Sequence, residues 1–181
     1  MQSLKKLYKI GIGPSSSHTM GPAKAMNIYV SEHPEAEAFH VVLFGSLADT
    51  GEGHGTDKAI EMESNKPVTI EFNVTDRDLP HENTMDIYSI VGGERCDKMR
   101  VMSVGGGDIR YAGHREEKAD EVYIEHSFAE IADFCKWRYI DKLSDYVELN
   151  EGEEIWDFLM EVWQVMKQSI VEGVAADGIL P

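Results

Sequence analysis

TMDIYSIVGGERCDKMRVMSVGGGDIRY, residues 84–111, decides the fold. Its apolar and β-branched runs break at Gly92-Gly93 and again at Gly105-Gly106-Gly107, which predicts antiparallel strands joined as a hairpin set or meander. Upstream, VTIEFNV at 68–74 alternates apolar and polar residues, the period of a half-buried strand. FHVVLF at 39–44 is a short apolar run bounded by polar residues and predicts a buried strand; VYIEH at 122–126 predicts one more.

Helices account for most of the remainder. Residues 4–17 read as an extended loop, and a helix starts near Ser17 or Thr19, with Met20, Ala23, Met26 and Val30 recurring every three or four positions. Pro22 fits its first turn and Pro34 ends it. GSLADTGEGHGTDKAIEM, 45–62, predicts a short helix, a glycine-rich bend at 51–55 and a second helix capped by Thr56 or Asp57. SFAEIADFCKWR, 127–138, has a serine cap and helical spacing at Phe128, Ile131 and Cys135. The strongest helix lies in EGEEIWDFLMEVWQVMKQSIVEG, 151–173, where Ile155, Trp156, Leu159, Met160, Trp163, Met166 and Ile170 form an apolar stripe. Helices mixed with a hairpin-rich sheet predict an α+β fold: a mixed β-sheet flanked by helices.

The 181 residues can bury a real core, and 42% hydrophobic with 28% charged residues is ordinary for a globular protein. The formal net charge is -16, and residues 114–161 alone hold 15 acids against 5 bases. Such a surface repels a phosphate backbone, which argues against nucleic acid as a partner. No apolar run approaches membrane-spanning length and the N-terminal segment lacks a signal-peptide pattern, so a cytoplasmic protein without membrane contact is expected. Cys96 and Cys135 are too few for a disulfide framework or an iron–sulfur cluster and are expected to be small buried residues.

Three stretches carry chemistry. GPSSSHTMGP, 13–22, packs Ser15, Ser16, Ser17, His18 and Thr19 at the mouth of a helix, where hydroxyls and free amides suit an anion such as an amino-acid carboxylate. A plain cap is the bland reading of the same serines. In GSLADTGEGHGTDKA, 45–59, His54 stands between Gly53 and Gly55, lightly shielded and of a type suited to moving a proton near neutral pH; Asp57 is a candidate to orient it. HENTMD, 81–86, offers Asn83 and Thr84 as neutral hydrogen-bonding groups, or simply a turn. The glycines at 105–107 bring backbone amides near a ligand or form a turn, and no phosphate-loop pattern occurs.

Taken together, KIGIGPSSSHTMGPAKA, FGSLADTGEGHGTDKA, HENTM and SVGGGDI resemble the N-terminal β domain or β subunit of the bacterial iron–sulfur-dependent L-serine dehydratases (L-serine ammonia-lyases). The resemblance covers the whole chain and implies a lyase that converts L-serine to pyruvate and ammonia. By resemblance, His54 is the base that takes the α-proton, with His18 ranked second. Ser15, Ser16, Ser17, Thr19 and Asn83 are substrate contacts. The family's four-iron–four-sulfur cluster sits on an α domain or subunit whose cysteines are not in this chain, and no metal ligand is expected here. Residues 1–150 correspond to the β domain, and 151–181 to a helical linker leading into the α domain. A separately encoded subunit and a truncated chain are both compatible with this, truncation being favoured. The resemblance also implies a homodimer, an inactive chain in isolation, and a fold similar to the allosteric substrate-binding domain of some phosphoglycerate dehydrogenases. A regulatory serine-binding module is the alternative reading.

Overall fold

The computed structural model describes residues 1–111 and 121–178. They fall into two compact units, Gly11–Glu116 and the pair of segments Met1–Ile10 and Glu117–Pro181. Residues 179–181 of the expected C-terminal segment lie outside the described residues.

In the first unit the strands β1 (Ala38–Phe44), β2 (Val68–Asn73), β3 (Thr84–Val91), β4 (Glu94–Gly105) and β5 (Asp108–Tyr111) form one sheet in the order β2-β1-β3-β4-β5. The β1–β2 pair is parallel and the others antiparallel, so the sheet is mixed and hairpins join β3 to β4 and β4 to β5. Parallel neighbours need a crossover, and two helices supply it: α3 (Ser46–His54) and α4 (Thr56–Met62). A third, α2 (Met20–Glu32), precedes β1. Alternation along the strands sends Phe39, Val41, Leu43, Met85, Ile87 and Val101 into one core with Met26 and Tyr29 of α2, Leu47 of α3 and Ile60 of α4. On the other face, beside the apolar Val42 and Phe44, polar residues are tied to one another. Asp86, 1% exposed, accepts from Arg100 at 2.6 and 2.7 Å and pairs with Lys98 at 2.8 Å.

The second unit holds α1 (Leu4–Leu7), α5 (Phe128–Arg138), α6 (Leu143–Glu151) and α7 (Ile155–Ala175). Ser127 caps α5 through a reciprocal capping box with Glu130. Glu151 gathers this unit's segments, accepting from Ser3 Oγ at 2.7 Å, the Leu4 amide at 2.7 Å and Tyr123 Oη at 2.8 Å.

Several local expectations are corrected. The stretch 4–17 begins with the short helix α1. The bend at 51–55 contracts to Gly55: α3 runs through Gly51 and Gly53 to His54, and Gly55, at φ +70°, both ends α3 and caps α4. Neither Thr56 nor Asp57 caps α4, because Gly55 occupies that position. VYIEH forms no strand; the amides of Val122 and Tyr123 both donate to the Met1 carbonyl, at 2.9 and 3.0 Å. Cys96 and Cys135 are half-buried, not core residues. Of the α7 stripe, Ile155 is buried while Trp156, Met160, Trp163, Met166 and Ile170 are exposed.

Candidate active site

Two backbone devices bring the histidine motifs together. Gly45 turns the chain from β1 into α3 at φ +53°, with space for no side chain: a Cβ would lie 2.3 Å from the Glu82 carbonyl oxygen. That same carbonyl accepts from the Ser46 amide at 2.8 Å, which fixes the start of α3 against the 79–83 loop. On the other side, the 15–19 turn closes through the amides of His18 and Thr19 on the Ser15 carbonyl, at 3.1 and 2.8 Å.

His18 is buried at 8% exposure and both ring nitrogens lie in a hydroxyl network. Its Nδ1 is 3.2 Å from Ser15 Oγ and 3.0 Å from Ser17 Oγ; its Nε2 is 3.0 Å from Ser46 Oγ. The ring stacks on His54 with centroids 4.5 Å apart and planes at 29°. Burial holds the His18 pKa below the ordinary histidine value, the neighbouring His54 ring adds to that, and an interaction with Ser46 works against it. The fold therefore favours the uncharged form of His18.

His54 differs in the one respect that matters for proton transfer. Its Nδ1 lies 2.9 Å from the Thr50 carbonyl oxygen. A carbonyl only accepts, so Nδ1 carries the hydrogen, and Nε2, with no partner among the described residues, keeps its lone pair for a substrate. The orienting group is thus a carbonyl one helical turn back and not Asp57. An open recess of about 540 Å³ runs along His54, Gly53 and Phe72. A neighbouring one of about 420 Å³ runs along Ser46, Arg77 and His81, with Asp49 and Thr50 lining both. Arg77, a cation at the second recess, is already held bidentately by Asp49 at 2.7 and 3.0 Å.

The other expected contacts divide by what their polar atoms already do. Ser15 and Ser17 present half-buried hydroxyls 3.3 Å apart beside His18. Ser16 offers its carbonyl to the Gly21 amide at 2.9 Å, with its side chain half-buried. Thr19 is 1% exposed and its hydroxyl donates to the Ile12 and Ser15 carbonyls, so it locks the turn. Asn83 Nδ2 donates to the Ser103 carbonyl at 3.3 Å while its Oδ1 is enclosed without a partner. The amides of His18, Thr19 and Gly21 are engaged and Pro22 has none, so the hydroxyls of Ser15 and Ser17 carry most of what this turn offers a ligand. Sequence reasoning missed Ser46, which bridges His18 and the 79–83 loop; nothing local marks it, since the contact joins residues 28 apart.

Residues 3–77 match the family described as serine dehydratase beta chain, a span that holds Ser15 to Thr19, Ser46 and His54 and stops short of Asn83. Across 100% of its length the chain is 30% identical to L-serine dehydratase 1 of Escherichia coli (strain K12), of which it covers 51%. It is 47% identical to the L-serine dehydratase of Mycobacterium tuberculosis (strain CDC 1551 / Oshkosh), with 99% of this chain and 50% of that protein covered. For the Streptomyces coelicolor (strain ATCC BAA-471 / A3(2) / M145) L-serine dehydratase the identity is 28%, over 99% and 51%. The chain thus spans about half the length of the curated relatives it matches. Matched over residues 3–77 by the family and over its whole length by these relatives, the chain is supported as an L-serine dehydratase β-type domain.

Proposed function

We propose that this chain supplies the substrate-holding groups and the base for the conversion of L-serine to pyruvate and ammonia. The observation that carries the reading is the His54 ring: Nδ1 is fixed by the Thr50 carbonyl, Nε2 is free, and a buried neutral imidazole is stacked behind it. In this mechanism the hydroxyls of Ser15 and Ser17 receive the substrate carboxylate, and His54 Nε2 accepts the α-proton. The positive charge on His54 is tolerated because His18 stays uncharged. The stacked ring also restricts His54 to one orientation, which is the positional part of the catalysis.

The family's four-iron–four-sulfur cluster does not fit the residues present. Cluster ligation takes about four cysteine thiolates, whereas the chain has Cys96 and Cys135 alone, placed in different compact units. Departure of the serine hydroxyl is assigned to polypeptide beyond this chain, in keeping with relatives of which the match covers about half.

The test is His54→Gln in the complete dehydratase, which keeps hydrogen-bonding capacity but removes the basic nitrogen. Turnover is expected to fall by about 10²–10⁴-fold, the usual worth of a general base, and exchange of the serine α-hydrogen with solvent to stop. Turnover near the wild-type rate refutes the assignment. The purified chain by itself is expected to form no pyruvate.

A further inference from the structure

At the opposite end of α2 from His18, about 20 Å away along a 13-residue helix, three metal-ligating side chains converge. His33, Glu35 and Asp97 each offer one donor atom, and these atoms all lie within 4.8 Å of one another. They come from the turn after α2 and from a bulged stretch of β4, between the Ser89–Cys96 and Ile87–Met99 pairs.

A single buried residue organises the cluster. Tyr29, 1% exposed, gives its carbonyl to His33 Nδ1 at 2.9 Å, stacks its ring on the imidazole at 4.0 Å and 22°, and donates its hydroxyl to the Asp97 carbonyl. A carbonyl partner on Nδ1 places the hydrogen there and leaves Nε2 as a lone-pair donor. This is the second-shell arrangement that fixes the tautomer and ring direction of metal-bound histidines. Among the described residues neither the Glu35 nor the Asp97 carboxylate takes part in an ion pair. Lys66, which reaches this turn, donates instead to the Pro34 carbonyl at 2.7 Å.

We propose that His33 Nε2, Glu35 and Asp97 form a surface site for a zinc-class divalent cation, with water completing the shell. An imidazole with two carboxylates suits borderline transition ions, whereas magnesium and calcium favour all-oxygen shells. Zinc–ligand bonds of about 2.0–2.2 Å bring tetrahedral donors to roughly 3.4 Å of one another. The two exposed carboxylates close that gap by rotating, while His33 stays fixed on Tyr29. The site is structural: it ties the end of α2 to the β4 bulge, far from His54.

Chelator-stripped chain is titrated with zinc chloride, followed by calorimetry, histidine ring NMR signals and thermal unfolding. The expected result is one ion that moves the His33 Nε2 signal first and raises the unfolding midpoint. Asp97→Asn, which tolerates the left-handed backbone at φ 45°, and Glu35→Gln are each expected to weaken binding about tenfold or more, at least what loss of an outer-shell partner costs. His33→Ala is expected to abolish the effect. An unmoved His33 signal, zinc bound by other histidines alone, or unchanged affinity in Asp97→Asn overturns the proposal. Asp97→Asn decides the matter if His33→Ala fails to fold.

Discussion

Replacing Gly21 with alanine tests how the His18 turn is seated on the sheet. Gly21 is the second residue of α2, and a Cβ there lies 2.0 Å from Ser103 Oγ and 2.8 Å from Ser103 Cβ. Ser103 has no room to retreat: it is 0% exposed, its amide donates to the Asn83 carbonyl at 2.9 Å, and its carbonyl accepts from Asn83 Nδ2. Overfilling a packed contact costs about 1–3 kcal/mol. Better helix propensity returns at most about 1 kcal/mol of that in the first turn. Gly21→Ala is therefore expected to destabilise the chain by about 1–2 kcal/mol in urea unfolding. Ser103→Gly removes the clash, and because Ser103 Oγ has no hydrogen-bond partner its deletion breaks no bond. The double variant is expected to show a coupling of at least about 1 kcal/mol relative to the two single changes. Strict additivity, or a Gly21→Ala chain as stable as wild type, refutes the claim that this close approach sets the position of α2 and the turn before it.

Tyr29→Phe removes a hydroxyl that serves the Asp97 carbonyl and accepts the Ser89 amide at 2.9 Å, leaving that buried amide without a partner. A cost of about 2–3 kcal/mol is expected, read as a lowered thermal midpoint, and an unchanged midpoint contradicts it. Ser46→Ala frees His18 Nε2; the loss of about one hydrogen bond lowers turnover of the complete dehydratase roughly fivefold to tenfold. The same change is expected to move the His18 ring NMR signals as Nε2 loses its Oγ partner, and no movement in either readout argues against Ser46 as a positioning residue. Burial pushes Glu151 upward, but hydrogen bonds from Ser3, Leu4 and Tyr123 outweigh it and its pKa lies below the ordinary 4.5. Stability from Glu151 is thus complete above that value and drains away as pH falls from it toward the lower folded pKa. Glu151→Gln is expected to flatten this acid limb in pH-dependent urea midpoints; an identical limb in both proteins shows that Glu151 does not cause it.

The sheet was legible because its signals are local: glycine pairs mark the hairpins, and VTIEFNV alternates at the strand period. The glycines of α3 misled for the opposite reason. Gly51 is buried against Phe72 and Thr56, so packing and not propensity keeps it helical, overriding a residue that weakens helices in isolation. VYIEH has strand composition but pairs with no strand among the described residues; the amides of Val122 and Tyr123 go to the Met1 carbonyl. In the site, residue types announced His18 and His54 as chemistry. Their stacking and the Ser46 bridge depend on tertiary contacts that no spacing encodes, and the Thr50 carbonyl comes within reach only because α3 continues through its glycines to His54.

The two histidines make sense as a pair only if they take unequal roles. Rings 4.5 Å apart repel when both are charged, so the pair holds one proton far more readily than two. His18 has both nitrogens occupied and a pKa lowered by burial, which removes it from competition. The ring left for substrate to reach is the half-buried His54, which lines a recess. A lone histidine at the end of α3 has the same basic nitrogen but no partner to fix its plane. A second charged residue in place of His18 fixes the plane and repels the product charge. A buried, neutral, hydroxyl-bound imidazole does the first without the second, which gives the SSSHT turn a physical reason to sit behind the GHG segment.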